Sequence, residues 1–262
     1  MRTALTIAGS DSGAGAGIQA DLKTFAAHGV YGTSAITAIT AQNTRGVAGW
    51  EPVSPRLVVS QIEAVVSDIG ADAVKTGMLA NVAIVEAVTD TLQRLGLTTV
   101  VVDPVMIAKG GDRLLEEAAV AAVRTLLLPL ARVVTPNIPE AEELAGMRIA
   151  SLGDMETAAR RILELGPSVV LVKGGHLDGD ESIDIAADGS GTFECRGPRL
   201  ATLQTHGTGC TLASAIAANL ALGYDVRDAI GRARTYLEGA IRNAPGIGHG
   251  HGPLSHFWRG VY

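Results

Sequence analysis

The chain has 262 residues, of which 47% are hydrophobic, and it carries a formal net charge of −6. This length allows one substantial core, and a negative chain without a cluster of Lys and Arg excludes a dominant nucleic-acid surface. Its two cysteines, Cys195 and Cys210, do not make a disulfide framework, and no apolar stretch is long enough to span a bilayer. We therefore expect a cytoplasmic protein with small-molecule partners, binding neither nucleic acid nor a membrane.

Short β-branched runs alternate with Ala- and Leu-rich stretches along the chain. The runs that we predict as strands cover residues 4–8, 33–40, 73–76, 98–103, 132–135 and 169–173. The stretches that we predict as helices cover residues 18–27, 55–68, 82–95, 114–126, 139–145, 154–165, 208–222 and 226–242. Two further runs, 182–187 and 192–196, flank a glycine-containing turn and predict a β-hairpin.

This alternation predicts an α/β fold. A strand followed by a helix forms a right-handed crossover unit, and repeated units give a parallel sheet with helices on both faces. No linker-like segment interrupts the pattern, so residues 1–262 are predicted as a single domain. In open parallel sheets ligands bind beyond the carboxyl ends of the strands. The residues that directly follow the strands are therefore the candidates for a functional site.

The segment THGTGCT at residues 205–211 precedes the helix predicted at 208–222. Its two glycines let backbone N–H groups converge, and a helix N-terminus adds about half a positive charge. Such a turn suits a phosphoryl oxygen whose charge must be stabilised during transfer. The same charge is expected to lower the pKa of the Cys210 thiol, which would make this residue a candidate general base. The alternative is an ordinary glycine turn followed by a small buried cysteine.

The segment GSDSGAGAG at residues 9–17 follows the first predicted strand. Its glycines alternate instead of following the G-x-G-x-x-G dinucleotide spacing, and the second predicted strand runs into Gln42 and Asn43 instead of an acidic residue. A nicotinamide dehydrogenase is therefore not favoured. The loop fits a flat ligand that approaches the backbone, and the alternative is a flexible surface turn.

Four polar residues lie at the ends of later strands. Asp103 and Glu140 are candidates to hold Mg²⁺ beside ATP phosphates, and Lys173 is suited to contact a phosphate. Helix capping is the alternative for Asn137 and Glu140, and an exposed strand-end lysine is the alternative for Lys173. The histidines in GHGHGP at residues 248–253 lack the spacing of a zinc site, so no metal role is predicted for them.

Six segments in order resemble the ribokinase-like superfamily and, within it, the hydroxymethylpyrimidine/phosphomethylpyrimidine kinases of the thiamine pathway. They are IQADLK (18–23), TAQNT (40–44), VKTGM (74–78), DPVM (103–106), PNIPE (136–140) and THGTGCT (205–211). The resemblance implies a three-layer α/β/α sandwich with a mostly parallel central sheet and no large separate lid domain. It also implies a homodimer.

The activity that this resemblance implies is two successive ATP-dependent phosphorylations. The first acts on the hydroxymethyl group of 4-amino-5-hydroxymethyl-2-methylpyrimidine and the second on the resulting monophosphate, with ATP and Mg²⁺ as cofactors. The residues implied for the pyrimidine pocket are Gly9, Asp21, Gln42, Met78 and Val105. Those implied for the remaining roles are Asp103 and Glu140 for Mg²⁺, Asn137 and Lys173 for the nucleotide, Gly207, Thr208, Gly209 and Cys210 for the anion hole, and Cys210 as the base.

The chain departs from the usual pattern of this family in three places, which are Ala14, the pair Gly110 and Gly111, and Arg234. Arg234 stands where a lysine near the nucleotide is frequent, so that nucleotide contact is left out of the predicted site. Residues 106–112 are a candidate lid because of their glycines and position. Two other functions stay open, a pyridoxal kinase of vitamin B6 salvage and a non-catalytic pyrimidine sensor.

Overall fold

A computed structural model describes residues 1–106, 116–175 and 181–260 of the chain. The strands in these residues are β1 (Thr3–Asp11), β2 (Tyr31–Asn43), β3 (Gly46–Pro52), β4 (Ala73–Thr76), β5 (Val100–Val102), β6 (Val133–Val134), β7 (Val169–Val172), β8 (Glu181–Asp188) and β9 (Gly191–Pro198). They form one sheet in the order β3-β2-β1-β4-β5-β6-β7-β8-β9.

The sheet is mostly parallel. β1, β2 and β4 to β7 run in one direction, whereas β3 at one end and the β8–β9 hairpin at the other are antiparallel to their neighbours. The hairpin confirms the prediction from sequence. β3 was not predicted, because the two glycines and the proline of GVAGWEP are unfavourable in strands. Such residues are tolerated at a sheet edge.

Helices cover the sheet. They are α1 (Gly17–Ala27), α2 (Pro55–Asp68), α3 (Val82–Arg94), α4 (Glu117–Ala122), α5 (Ile138–Ala145), α6 (Leu152–Leu163), α7 (Thr208–Ala221) and α8 (Val226–Arg242). α4 continues through a π-helical turn at Val123–Leu127, and the start of the predicted helix 114–126 lies outside the described residues. Among the described helices, none has the length and apolar character needed to cross a membrane.

Two hydrophobic cores lie on opposite faces of the sheet. Side chains alternate between the faces of a strand, so Val100 and Val102 join the core beneath α2 to α6, whereas Val101 joins the core beneath α1, α7 and α8. All three valines are fully buried, as expected for a strand covered on both sides. The predicted three-layer α/β/α arrangement with a mostly parallel central sheet is therefore confirmed.

The order of the strands explains where a ligand can bind. From β1 the chain moves outward to β2 and β3, then returns to the other side of β1 to build β4 and the strands after it. Neighbouring crossovers therefore diverge at the β1–β4 boundary, and a crevice opens there at the carboxyl ends of the strands. α7 packs over β1, β4 and β5 at this boundary, which brings its N-terminus to the crevice.

Candidate active site

A cavity of about 930 Å³ lies at this edge of the sheet. Of the thirteen residues that the sequence singles out, twelve line it. The twelve are Gly9, Gln42, Met78, Asp103, Val105, Asn137, Glu140, Lys173, Gly207, Thr208, Gly209 and Cys210. The structure thus brings together residues that are up to 201 positions apart in the chain, from Gly9 to Cys210. Asp21 is the exception.

The two glycine segments interlock at the N-terminus of α7. Gly207 is the N-cap residue, has φ of +83°, and a Cβ placed on it would lie 1.8 Å from the carbonyl oxygen of Gly15. A side chain at position 207 is excluded for two reasons: L-residues avoid this φ, and the backbones of the two segments are already in contact. The first turn of α7 therefore lies directly against the loop that follows β1. Its leading N–H groups have no partner within the helix and are available to an anion.

Cys210 lies in this first turn, half-buried on the cavity wall. Burial raises the pKa of the thiol to about 11; the positive charge of Lys75 opposes this shift, and the carboxylates of Asp21 and Asp103 add to it. The expectation that the helix N-terminus leaves this thiol with a lowered pKa is therefore wrong. Desolvation and two carboxylates outweigh the favourable charges. The resting residue is a thiol at neutral pH.

A second group of charges faces Cys210 across the cavity. The Lys173 ammonium donates to Asp103 at 3.0 Å, and Glu140 lies beside the pair. Although burial lowers the pKa of Lys173, the carboxylates of Asp103 and Glu140 raise it above its usual value. Burial raises the pKa of Glu140 to about 7, opposed by Lys173 and reinforced by Asp103. The Lys173 ammonium thus interacts with two carboxylates, those of Asp103 and Glu140, that are almost wholly buried.

Asn137 and Glu140 also form a helix cap. The Asn137 side chain accepts from the N–H of Glu140 at 3.0 Å, and the Glu140 carboxylate accepts from the N–H of Asn137 at 2.8 Å. This capping box begins α5 and confirms the structural alternative weighed for these two residues. It holds one Glu140 oxygen against the backbone. The same carboxylate lines the cavity, so capping and a role in the site are compatible.

Asp21 is fully buried and outside the cavity lining. Its carboxylate accepts two hydrogen bonds from Lys75, at 2.9 and 3.0 Å, and one each from the hydroxyls of Thr6 and Ser214, both at 2.6 Å. All its acceptor directions are taken by the protein, which leaves none for a substrate. Ser214 lies one helical turn below Cys210, so Asp21 and Lys75 sit directly beneath the thiol.

A family model described as phosphomethylpyrimidine kinase matches residues 11–255. The chain belongs to the phosphomethylpyrimidine kinase family. It is 49% identical to the hydroxymethylpyrimidine/phosphomethylpyrimidine kinase of Bacillus subtilis over 97% of this chain and 94% of that protein. It is also 53% identical to a thiamine biosynthesis bifunctional protein of Geobacter sulfurreducens, over 96% of this chain and 51% of that longer protein.

Among solved structures, the ADP complex of Bacillus subtilis pyridoxal kinase has a TM-score of 0.93 and 38% identity, with full coverage of both chains. The family membership and the kinase activity predicted from sequence are therefore confirmed.

Two residues of this phosphomethylpyrimidine kinase family member line the site but were not predicted individually from sequence, although both lie in the glycine segments. Asp11 and His206 line the cavity, and His206 Nε2 lies 2.8 Å from an Asp11 carboxylate oxygen. Burial raises the pKa of Asp11, but hydrogen bonds from His206 and from backbone N–H groups leave it below its usual value. The signal that could have identified His206 is its position directly before a glycine turn of the kind that binds phosphate.

Arg234 lies at the other end of the same cavity. Its guanidinium pairs with Asp184 and donates to the carbonyl oxygen of Ser182 at 3.0 Å. Asp184 in turn accepts from the N–H of Gly174 at 2.8 Å. Arg234 is thus fixed against β8 in this family member. Most of the predicted lid, residues 107–112, lies outside the described residues.

Two of the C-terminal histidines, His249 and His256, form hydrogen bonds that hold this segment against the rest of the described chain. The N–H groups of His249 and Gly250 donate to the Thr44 hydroxyl, and His256 contacts the Thr211 hydroxyl at 3.0 Å. Burial lowers the pKa of His256 to about 4, so this buried ring is neutral at pH 7. No group of three or more His, Cys, Asp or Glu side chains suited to a metal occurs in the described residues.

Proposed function

We propose that this kinase transfers phosphate from ATP to the hydroxymethyl group of 4-amino-5-hydroxymethyl-2-methylpyrimidine and then to the monophosphate, in thiamine biosynthesis. The observation that carries the proposal is a cavity whose lining combines the N-terminal turn of α7 and Cys210 with the uncharged Gly9, Gln42, Met78 and Val105 and with a Lys173–Asp103–Glu140 group. The named functions of relatives near 50% identity support the same substrate.

The pyrimidine is proposed to bind at the part of the cavity wall that carries uncharged residues. Gly9, Gln42, Met78 and Val105 line it, and a Cβ on Gly9 would lie 3.3 Å from the sulfur of Met78. The Met78 side chain thus packs directly on the Gly9 backbone, and Met78 and Val105 are proposed as the apolar walls against which a flat ring packs. The Gln42 amide provides a donor and an acceptor, which match the ring nitrogen and exocyclic amino group of an aminopyrimidine.

ATP is proposed to place its transferable phosphate at the first turn of α7. The N–H groups of residues 207–210 and the Lys173 ammonium stabilise negative charge on the phosphoryl oxygens during transfer. A Cβ on Gly209 would lie 3.2 Å from Lys173 Nζ, so the lysine reaches this turn. Asn137, at the start of α5, lies in the same part of the cavity and is proposed to contact the nucleotide.

Asp103 and Glu140 are the residues that would hold Mg²⁺. Mg²⁺ is usually bound by one or two carboxylates together with substrate phosphates, and two buried carboxylates side by side match that donor set. Burial, and secondarily the Asp103 carboxylate, raises the pKa of Glu140, and a bound cation would favour its ionised form. The bound cation would supply charge neutralisation at the phosphates.

Cys210 is proposed as the base of the first transfer. As the substrate hydroxyl oxygen forms its bond to the γ-phosphorus, its proton passes to the Cys210 thiolate. The bond from phosphorus to the bridging oxygen breaks, and ADP leaves with that electron pair. Lys75 supplies the main positive charge that favours the thiolate. The second transfer uses a phosphate oxygen as nucleophile.

The test is an ADP-release assay with Mg-ATP on three acceptors, namely the hydroxymethylpyrimidine, its monophosphate and pyridoxal. Turnover of both pyrimidines is expected. Pyridoxal is included because a pyridoxal kinase shares the fold at 38% identity, and turnover of pyridoxal alone would assign the chain to vitamin B6 salvage. Binding of the pyrimidine without turnover of any acceptor would instead support a sensor.

We also propose a cytoplasmic homodimer. β3 forms one end of the sheet, and at this end Trp50 of β3 and Ile39 of β2 are 38% and 60% exposed on opposite faces, which supports an apolar contact between copies at this edge. Both cysteines are free, as in a reducing compartment. Sedimentation velocity should give about twice the mass of the 26.9 kDa chain, and Trp50→Glu should shift it to the monomer. Cell fractionation tests the compartment.

A further inference from the structure

Gln42, the proposed reader of the substrate ring, contacts two side chains at the cavity wall. Its amide nitrogen lies 3.5 Å from His206 Nε2, and its amide oxygen lies 3.2 Å from the Thr40 hydroxyl. An amide is a donor at one end and an acceptor at the other, so these neighbours decide which end faces which way. Their own hydrogen bonds determine what each neighbour can offer.

His206 is committed as a donor. Its Nε2 lies 2.8 Å from Asp11 Oδ2, and a carboxylate can only accept. Asp11 is held ionised by its position: its oxygens also accept from the N–H groups of Gly13, Gly15 and Ala16 at 2.8 to 3.0 Å. The proton of His206 therefore sits on Nε2. This nitrogen cannot accept from an amide NH₂ group.

Thr40 is committed in the opposite sense. Its single hydroxyl proton points to the carbonyl oxygen of Ser10, at 2.9 Å, so towards Gln42 the hydroxyl oxygen can only accept. With the amide oxygen near Thr40 and the nitrogen near His206, two acceptors face each other on one side and two donors on the other. Turning the amide by 180° removes both conflicts: the nitrogen then donates to Thr40, and the oxygen, instead of an NH₂ group, lies beside the Nε2–H that His206 donates to Asp11.

We infer that the Asp11–His206 pair is a specificity device that fixes the polarity of the Gln42 amide, with its oxygen toward His206 and its nitrogen toward Thr40. This inference rests on the proposed function and names the substrates that the pair selects, which are heteroaromatic alcohols with a donor amino group beside an acceptor ring nitrogen. Such an edge pairs with both ends of the fixed amide in one orientation only. It discriminates against an edge with the donor and acceptor exchanged.

The probe for this inference is the 4-oxo analogue, 5-hydroxymethyl-2-methylpyrimidin-4-one. Its lactam form carries an acceptor oxygen where the substrate has an amino donor, and a ring N–H where the substrate has an acceptor. The reacting hydroxymethyl group is unchanged. A site built to hydrogen-bond one pattern leaves its own groups unpaired with the other, so the wild type should favour the amino compound on the order of 10²-fold or more in kcat/KM.

His206→Phe is the test variant, because a planar ring can still pack on Gly15 while the N–H that fixes the amide is lost. We expect the amino-to-oxo ratio of kcat/KM to fall at least tenfold, mainly through KM. Asp11→Asn is the matched comparison: its side-chain oxygen can still accept from His206, so the ratio should be retained whatever happens to turnover. An unchanged ratio in His206→Phe, with thermal unfolding like that of the wild type, would overturn the inference.

A measurement on the wild type needs no variant to fold and no turnover. Long-range ¹H–¹⁵N spectra report which ring nitrogen of a histidine is protonated, and we expect a proton on Nε2 of His206. A neutral ring with its proton on Nδ1 would refute the fixed polarity. Failure of the proposed function looks different, since the wild type would then turn over neither pyrimidine while the histidine spectrum stayed as expected.

Discussion

Cys210→Ser should separate the two phosphoryl transfers. The first acceptor is a neutral hydroxyl that must lose a proton, whereas the second is a phosphate monoester, whose second pKa of about 6 leaves an ionised oxygen at pH 8. Removing a general base costs roughly 10²- to 10⁴-fold. We therefore expect kcat/KM for the hydroxymethylpyrimidine to fall by that factor, and kcat/KM for the monophosphate to fall by less than about tenfold.

The pKa of about 11 for this thiol adds a pH signature. The thiolate is the active form, so at pH 7 only about one enzyme molecule in 10⁴ carries it, and each added pH unit raises that fraction about tenfold until the pKa is approached. In the wild type the first transfer should therefore accelerate between pH 7 and 9, and in Cys210→Ser this rise should be lost. The second transfer should not follow the thiol titration in either enzyme.

The assay is coupled ADP release at saturating Mg-ATP with each pyrimidine in turn. Cys195→Ser is the matched control, because this second free cysteine lines the same cavity and is not proposed as a base. Any effect it has through ATP should change both transfers by the same factor. Equal losses in the two transfers for Cys210→Ser, or a first transfer that is independent of pH in the wild type, would refute the role of the thiol as base.

Three further predictions follow from buried contacts. Lys75→Met should lower the free energy of unfolding in urea at pH 7 by about 3–5 kcal/mol, because it leaves Asp21 unpaired. The double variant Lys75→Met/Asp21→Asn should recover part of that loss. Because the pKa of Lys75 is raised, the stability that the pair contributes persists at neutral pH and is lost only in strong alkali. Gly207→Ala should abolish turnover while circular dichroism stays native, because its Cβ would displace the Gly15 carbonyl. Glu140→Gln should raise the Mg²⁺ concentration for half-maximal rate on the order of tenfold or more, and an unchanged Mg²⁺ titration would exclude it as a ligand.

Residues that follow strands could be placed from sequence because the rule involved is topological. Once Asp103 and Lys173 are each assigned to the end of a parallel strand, the sheet brings them together, although they are 70 positions apart. The same reasoning fails for Asp21, which lies on a helix. Its partner Lys75 is 54 positions away, and nothing in either segment shows that the two pair inside the protein.

The pKa of Cys210 could not be predicted for a related reason. The helix N-terminus is visible in the sequence, whereas burial and the carboxylates of Asp21 and Asp103 come from other elements. Likewise, Asp11 and His206 are 195 positions apart, and the sequence shows two glycine segments without showing that they interlock. Local sequence patterns identified the separate segments of the site, whereas the electrostatic interactions between those segments could be described only from the fold.

The site divides its two buried lysines between different tasks. Lys75 is fully buried and paired with Asp21, and its charge opposes the rise in the pKa of the Cys210 thiol. Lys173 keeps 14% of its side chain exposed and pairs with Asp103, so it can turn its ammonium toward an incoming phosphate. Each lysine is anchored to a separate carboxylate. In the proposed mechanism Lys173 would therefore offset the negative charge of ATP while Lys75 continued to favour the thiolate. That separation is what a kinase needs when one cavity must hold both an ionising thiol and a polyphosphate.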